Sequence, residues 1–156
     1  MIKRLVIMQG HSGSGKSTLI NDLVQGTLKE KSVVLSTDNY FMDEDGWYIF
    51  DESKLKRYHH QTWLECANIM RNAYQYDDKG NMIKPFDDVE WIWLDNTNCK
   101  DEDVKKYIDY ADLYGYQVSF FRVDGEHESK APNHVVRKQK EDLKRFNYFR
   151  KSEQLS

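Results

Sequence analysis

One run of eight residues constrains this chain more than any other. Gly10-His11-Ser12-Gly13-Ser14-Gly15-Lys16-Ser17 matches G-x-x-x-x-G-K-[ST] without a gap. The pattern has physical meaning between a strand and a helix, and it falls there: residues 3–9 form an apolar strand candidate, and helical periodicity begins at Lys16. Glycines at 13 and 15 allow a backbone whose successive N–H groups point inward, making a nest for phosphate oxygens. The helix that opens at Lys16 adds the positive end of its dipole. Lys16 offers a point charge to the β- and γ-phosphates and Ser17 a hydroxyl ligand to Mg²⁺. Gly10, Ser12, Gly13, Ser14, Gly15 and Thr18 complete the expected nucleotide contacts. The loop predicts binding of ATP, or another nucleoside triphosphate, with Mg²⁺. His11 is read as a backbone position of the loop, without chemistry of its own.

The rest of the chain alternates strand and helix. Further strand candidates are residues 33–37, 90–95 and 117–123. Helical patterns run from Lys16 to about Val24 and from Glu52 to about Tyr74, the second with Leu55, Tyr58, Thr62, Ile69, Met70 and Ala73 on one stripe. Asp51 is placed to cap that second helix. A third helix runs from Asp101 to Tyr114, with acids in its first turn and Gly115 as a left-handed cap. The last begins near Pro132. Strands joined by crossover helices lie parallel, so the fold class is α/β with helices on both faces. Ligands on such sheets bind beyond the carboxyl ends of the strands. With 156 residues the chain suits one domain, 1–156, able to bury a core without a disulfide or a structural metal. Residues 76–89 are an extra polar, acidic loop, a candidate surface hairpin.

Charge narrows the partners. The net charge of −3 argues against a protein that coats nucleic acid non-specifically. The distribution is uneven: residues 76–103 are acidic, while residues 130–151 carry Lys130, Arg137, Lys138, Lys140, Lys144, Arg145, Arg150 and Lys151. Two readings stay open, solvated helix faces or a basic C-terminal helix that meets phosphates. The longest run of large apolar residues, Leu5 to Met8, is too short to span a membrane. Cys66 and Cys99 form no CxxC pair, and no secretory pattern opens the chain. The expected location is the cytoplasm, a host's cytoplasm if the chain is phage-encoded.

Two acids fall at expected strand ends. Asp38, in Ser36-Thr37-Asp38-Asn39-Tyr40, is placed either as a general base for a hydroxyl acceptor or as a loop cap. Asp95 ends an apolar strand, the pattern that holds Mg²⁺ or its waters beside a phosphate loop. Asn96, Thr97 and Asn98 are candidates to orient that carboxylate or to start the next helix. Tyr40, Phe41, Trp47, Tyr48 and Phe50 either stack an acceptor base or cover the sheet edge. His59 and His60 fall in the second helix, where one is a candidate to face the acceptor and a packed or surface position is the default reading.

With these residues in view, the chain resembles the 5′-hydroxyl polynucleotide kinase branch of phosphate-loop kinases. The resemblance rests on LSTDNYF, Tyr48-Ile49-Phe50-Asp51, His59, LDNTN and Tyr114-Gly115-Tyr116-Gln117-Val118, in that order, over residues 3–143. It implies a strand order of 2-3-1-4 and transfer of the γ-phosphate of ATP to a terminal 5′-hydroxyl of DNA or RNA. Carried over by position, Lys16 and Ser17 bind phosphates and Mg²⁺, Asp38 is the general base and Asp95 the essential aspartate of the third strand. Three departures stand out, the extra loop at residues 76–89 being one. Phe41 occupies the position where phage-type enzymes place an arginine for an acceptor phosphate. The lid, near residues 124–134, is short and lacks an arginine-rich helix, which leaves Arg122, Lys130 and Arg137 as candidate phosphate contacts. The rival readings are a kinase for a nucleoside, nucleotide or sugar, and a non-catalytic nucleotide-binding module.

Overall fold

The computed structural model describes residues 2–129 and 131–146; Lys130, Arg150 and Lys151 of the expected basic segment lie outside the described residues. Six strands and five α-helices follow in chain order. They are β1 (Lys3–Gln9), α1 (Lys16–Leu23), α2 (Gly26–Glu30), β2 (Ser32–Leu35), α3 (Glu52–Met70), β3 (Gln75–Tyr76), β4 (Met82–Ile83), β5 (Trp91–Leu94), α4 (Asp101–Leu113), β6 (Tyr116–Arg122) and α5 (Asn133–Lys144). A 3₁₀ turn, Thr37–Phe41, follows β2. The main sheet has the order β2-β5-β1-β6 and is parallel throughout, which is the expected 2-3-1-4 order of the four principal strands.

Side-chain alternation along β1 divides the core between two faces. Leu5 and Ile7 point to the face covered by α3 and α4, among Cys66, Ile69, Met70, Val104, Tyr107 and Ala111. Val6 and Met8 point to the other face, against Ile20 of α1 and Trp93 of β5. A strand covered on both sides reads as a continuous apolar run, which is why residues 5–8 carry no polar alternation. Each such side chain contributes about 1.5–3 kcal/mol on full burial. The register, with Leu5 opposite both Ile92 and Val118, aligns the carboxyl ends of β1, β5 and β6.

Helix ends follow local chemistry. The Asp51 carboxylate accepts from Ser53 N–H at 3.0 Å and caps α3. That helix stops at Met70 rather than near Tyr74, because Asn72 turns left-handed (φ 52°) and Ala73 N–H reaches back to Asn68 O at 3.0 Å. Its buried positions are accordingly Thr62, Cys66, Ala67, Ile69 and Met70, with Leu55, Tyr58 and Ala73 only half-buried. Gly115 takes the left-handed conformation (φ 75°) after α4. Strand β2 ends two residues early, where Thr37 N–H turns aside to bond Asn96 Oδ1 at 2.9 Å. Within residues 76–89 the chain forms part of an exposed hairpin, β3–β4, whose turn is closed by the Asp77 carboxylate accepting from Lys79 N–H and Asn81 N–H. No described helix is long and apolar enough to cross a membrane.

Candidate nucleotide and phosphoryl-transfer site

The loop between β1 and α1 has the conformation its glycines predict. Gly13 (φ 84°) and Gly15 (φ 100°) are left-handed, where a side chain is strained. Gly10 N–H bonds Thr97 O at 3.1 Å, anchoring the loop to the segment after β5. The buried Lys16 ammonium donates to the carbonyls of Gly10 and His11, both at 3.0 Å. Burial lowers its pKa, and the charges of Asp95, Cys99 and Asp38 oppose that shift. Ser14 Oγ is fully buried and has no hydrogen-bond partner among the described residues, an orphan donor inside the loop. Thr18 is exposed in the first turn of α1. His11 is buried, its Nδ1 2.9 Å from Ser12 O.

Asp95 comes to the same place from β5. Ser17 Oγ–H donates to Asp95 Oδ2 at 2.7 Å. Burial raises the Asp95 carboxyl above its usual range; the Ser17 hydrogen bond and the Lys16 charge pull it down, while Asp38 pushes it up. A hydroxyl oxygen and a carboxylate oxygen held together here are the hard donors that suit Mg²⁺. The residues after Asp95 neither orient it nor start a helix, since α4 begins at Asp101. They fasten strand ends instead: Asn98, left-handed at φ 49°, donates from Nδ2 to Met8 O at 2.7 Å, and Gln9 Nε2 donates to Asn98 O at 3.1 Å. Asn96 holds the end of β2 through Thr37 N–H.

Asp38 sits in the 3₁₀ turn at the carboxyl end of β2 and is exposed. Its charge acts on both Lys16 and Asp95, so all three side chains share one electrostatic field. The Tyr48 hydroxyl donates to Asp38 Oδ1 at 3.2 Å. Neighbouring Thr37 is fixed from below, its Oγ1 2.9 Å from Thr62 Oγ1 and 3.2 Å from His59 Nδ1. Most of the aromatic segment packs on itself. Phe41 is buried, with ring centroids of Tyr58, Phe50 and Tyr48 at 4.8, 5.1 and 6.0 Å, and Tyr40 stacks on Tyr58 at 5.3 Å. Trp47 alone among these rings is largely uncovered, 71% exposed.

The segment after β6 grips the loop from its carbonyl side. His127 N–H donates to Gly13 O at 2.8 Å, and Ser129 Oγ–H donates to Ser12 Oγ at 2.6 Å. Ser12 N–H in turn donates to Gln139 Oε1 of α5 at 2.8 Å. A Cβ on Gly13 would stand 2.7 Å from His127 O, and one on Gly125 would stand 2.5 Å from Ser14 O. Both glycines therefore permit close backbone approach, and Gly13 its left-handed φ as well. Glu126 bridges Lys140 Nζ at 2.9 Å and His11 Nε2 at 3.5 Å. His127, Ser129 and Gln139 carried no local sequence signal, because their partners lie more than a hundred residues away.

The structure thus bonds Ser17 to Asp95 and leaves Lys16 and Asp38 within electrostatic reach of that carboxylate. Arg122 lies on the α5 side, its guanidinium 3.5 Å from Gln9 Oε1 and over the Phe146 ring, lining a cavity of about 240 Å³ with His11 and Lys140. Arg137 is exposed on α5. Lys130 falls outside the described residues.

Known proteins share this architecture. A family model described as an AAA domain, AAA_33, matches residues 5–147. Among solved structures, a chain of the Pnkp1/Rnl/Hen1 RNA repair complex superposes with a TM-score of 0.64 at 14% identity, covering 92% of this chain and 45% of that one. A chain of the AvrRxo1-ORF1:-ORF2 complex with ATP gives 0.56 at 15% identity, over 91% of this chain and 47% of that one. The APS kinase CysC (Cys556Ala mutant) of Mycobacterium tuberculosis gives 0.50 at 14% identity, over 92% of this chain and 96% of that one. This chain spans less than half the length of the first two. At such identities the superpositions establish a fold, that of phosphate-loop kinases. With a family match that runs from β1 to the end of α5, the chain belongs to the AAA_33 family of AAA domains.

Proposed function

We propose that this chain is an ATP- and Mg²⁺-dependent kinase that phosphorylates a 5′-hydroxyl end of DNA or RNA. The observation that carries this reading is the position of Asp38, a carboxylate at the carboxyl edge of the sheet whose charge reaches both Lys16 and Asp95. In this reading residues 1–156 act as one domain, with residues 124–134 as its lid.

Each residue then has a task. The N–H groups of the loop and the Lys16 ammonium orient the triphosphate, the ammonium exchanging the carbonyls of Gly10 and His11 for phosphate oxygens. Ser14 Oγ, unpartnered among the described residues, gains a phosphate oxygen as partner. Ser17 and Asp95 are the residues that would hold Mg²⁺, which when bound neutralises charge on the β- and γ-oxygens. Asp38 accepts the proton of the acceptor hydroxyl as its oxygen bonds to the γ-phosphorus. The bond from that phosphorus to the β,γ-bridging oxygen breaks, and ADP leaves.

A nucleic-acid acceptor is supported by the resemblance in the strand-end motifs and by the RNA repair complex among the structural neighbours. A second reading, a small-molecule kinase, is favoured by the burial of Phe41 in the place of an arginine and by the near full-length span of the APS kinase. Parallel assays of labelled γ-phosphate transfer from ATP to a 5′-hydroxyl oligonucleotide, a nucleoside and a 3′-nucleotide separate them. Transfer to the oligonucleotide is expected. Transfer to the small molecules alone establishes the second reading, and tight ATP binding with no transfer to any acceptor establishes a non-catalytic module.

A further inference from the structure

We infer that Tyr48 is a positioning residue for Asp38: its hydroxyl holds one carboxylate oxygen and leaves the other to face the acceptor alcohol. The inference rests on the proposed role of Asp38 as the base. Asp38 is exposed on a short 3₁₀ turn, where a free carboxylate would sample several rotamers. The bond from Tyr48 to Oδ1, at 3.2 Å, selects among them.

Tyr48 is itself held in place by a built turn. Met42 and Tyr48 pair as an antiparallel bridge, and Ile49 N–H bonds Phe41 O at 2.8 Å. Asp43 N–H bonds Trp47 O at 2.9 Å, and the Asp43 carboxylate accepts from Asp45 N–H at 2.9 Å and Trp47 N–H at 2.8 Å. Gly46, at φ 83°, closes the turn. The Tyr48 ring leans on buried Phe41, so the phenol oxygen approaches Asp38 from a fixed direction. Burial first, and then the charge of Asp38, push the phenol up to about 12, so it remains a donor across the neutral range. Titratable groups whose electrostatics involve Asp38 include Lys16 from α1, Asp95 from the end of β5 and His59 from α3. None of them belongs to the turn that carries Tyr48.

Tyr48→Phe keeps the ring and removes the donor. The expected result is kcat lower by about tenfold, the usual worth of a hydrogen bond to a charged group, with KM for ATP unchanged. The Asp38 χ1 rotamer populations, read from NMR couplings without acceptor, spread from one dominant well over several, because the carboxylate has lost the donor that selected among them. Tyr48→Leu, which also removes the ring, supplies the structural comparison. If Tyr48→Phe keeps the parent's kcat and Asp38 rotamer populations while Tyr48→Leu alone is impaired, Tyr48 only packs and the inference is overturned. Failure of the parent chain to phosphorylate any 5′-hydroxyl would count against the proposed function, and the acceptor-free rotamer couplings would still decide the role of Tyr48.

Discussion

Ser17 and Asp95, 78 residues apart in the chain, meet through a 2.7 Å bond from hydroxyl to carboxylate. The meeting depends on β5 lying beside β1, so that the end of one strand faces the helix that follows the other. Burial drives the Asp95 carboxyl up, and Ser17 and Lys16 draw it back toward ionisation. A carboxylate kept in so covered a place is costly to the fold unless a donor or a cation partners it.

Asp95→Asn keeps the size of the side chain and removes its charge. Phosphoryl transfer should fall roughly 10- to 100-fold, with most of the loss in the dependence on Mg²⁺. Titration of ATP with and without Mg²⁺ by calorimetry reads this directly. A variant whose ATP affinity still responds to Mg²⁺ as the parent's does would place the cation elsewhere.

Asp38→Asn should separate binding from chemistry. ATP affinity stays within about twofold, while single-turnover transfer to a 5′-hydroxyl oligonucleotide falls by about 10²- to 10⁴-fold, the range for loss of a general base. An asparagine variant as fast as the parent would remove Asp38 from that role.

Gly13→Ala and Gly80→Ala test the two demands on loop glycines. Both positions are left-handed, at φ 84° and 80°, so each variant bears about 1–2 kcal/mol of backbone strain. At Gly80 the new methyl enters open space, whereas at Gly13 it meets His127 O at 2.7 Å. Thermal melting should therefore show the larger loss at Gly13, accompanied by weakened ATP binding. Equal losses would mean that the lid does not press on the loop in solution.

Gln139→Ala removes the acceptor for Ser12 N–H and should loosen the loop from α5. A hydrogen bond of this kind is worth about 1 kcal/mol, so ATP should bind about fivefold more weakly. Equilibrium binding of a fluorescent ATP analogue provides the measurement; unchanged affinity would make the contact incidental.

Stability should decline in alkali for a stated reason. Burial pushes the Cys66 thiol up to about 12 and the Cys99 thiol up to about 11, from an ordinary 9.0. Between pH 9 and these values the unfolded chain has lost protons that the native chain retains, so unfolding becomes easier as pH rises. Urea midpoints should be level up to about pH 8.5 and fall above it, and Cys66→Ala should flatten part of that fall. An unaltered slope in the variant would assign the effect to other groups, the buried Tyr107 foremost.

How much of this was legible in the chain can be traced through particular residues. The cradle at 10–17 could be read because every part of it is local: strand, glycines, lysine and helix start follow one another. The parallel order β2-β5-β1-β6 was implied through the family resemblance, and the alternation of strand and helix required crossovers. Asp95 stood out because an acid ending an apolar strand needs a partner, whereas Asp38 took its expected role from the resemblance, a loop cap explaining a strand-end aspartate equally well. The stop of α3 at Asn72 was missed, since asparagine enters the left-handed region only where its surroundings favour it.

By itself, then, the sequence determined the phosphate loop, the succession of strands and helices and the acids at the strand ends, because local propensity and spacing suffice for these. Tertiary structure alone decided that Gly13 would carry His127 on its carbonyl, that Ser12 would be tied to Gln139, and that Asn98 would fasten Met8. Such bonds join a backbone group to a side chain far along the chain and leave no periodic trace. Whether Gln139 of α5 faces the loop depends on the rotation of that helix, and buried Leu143 and neighbouring Phe146 set it only once the sheet has formed.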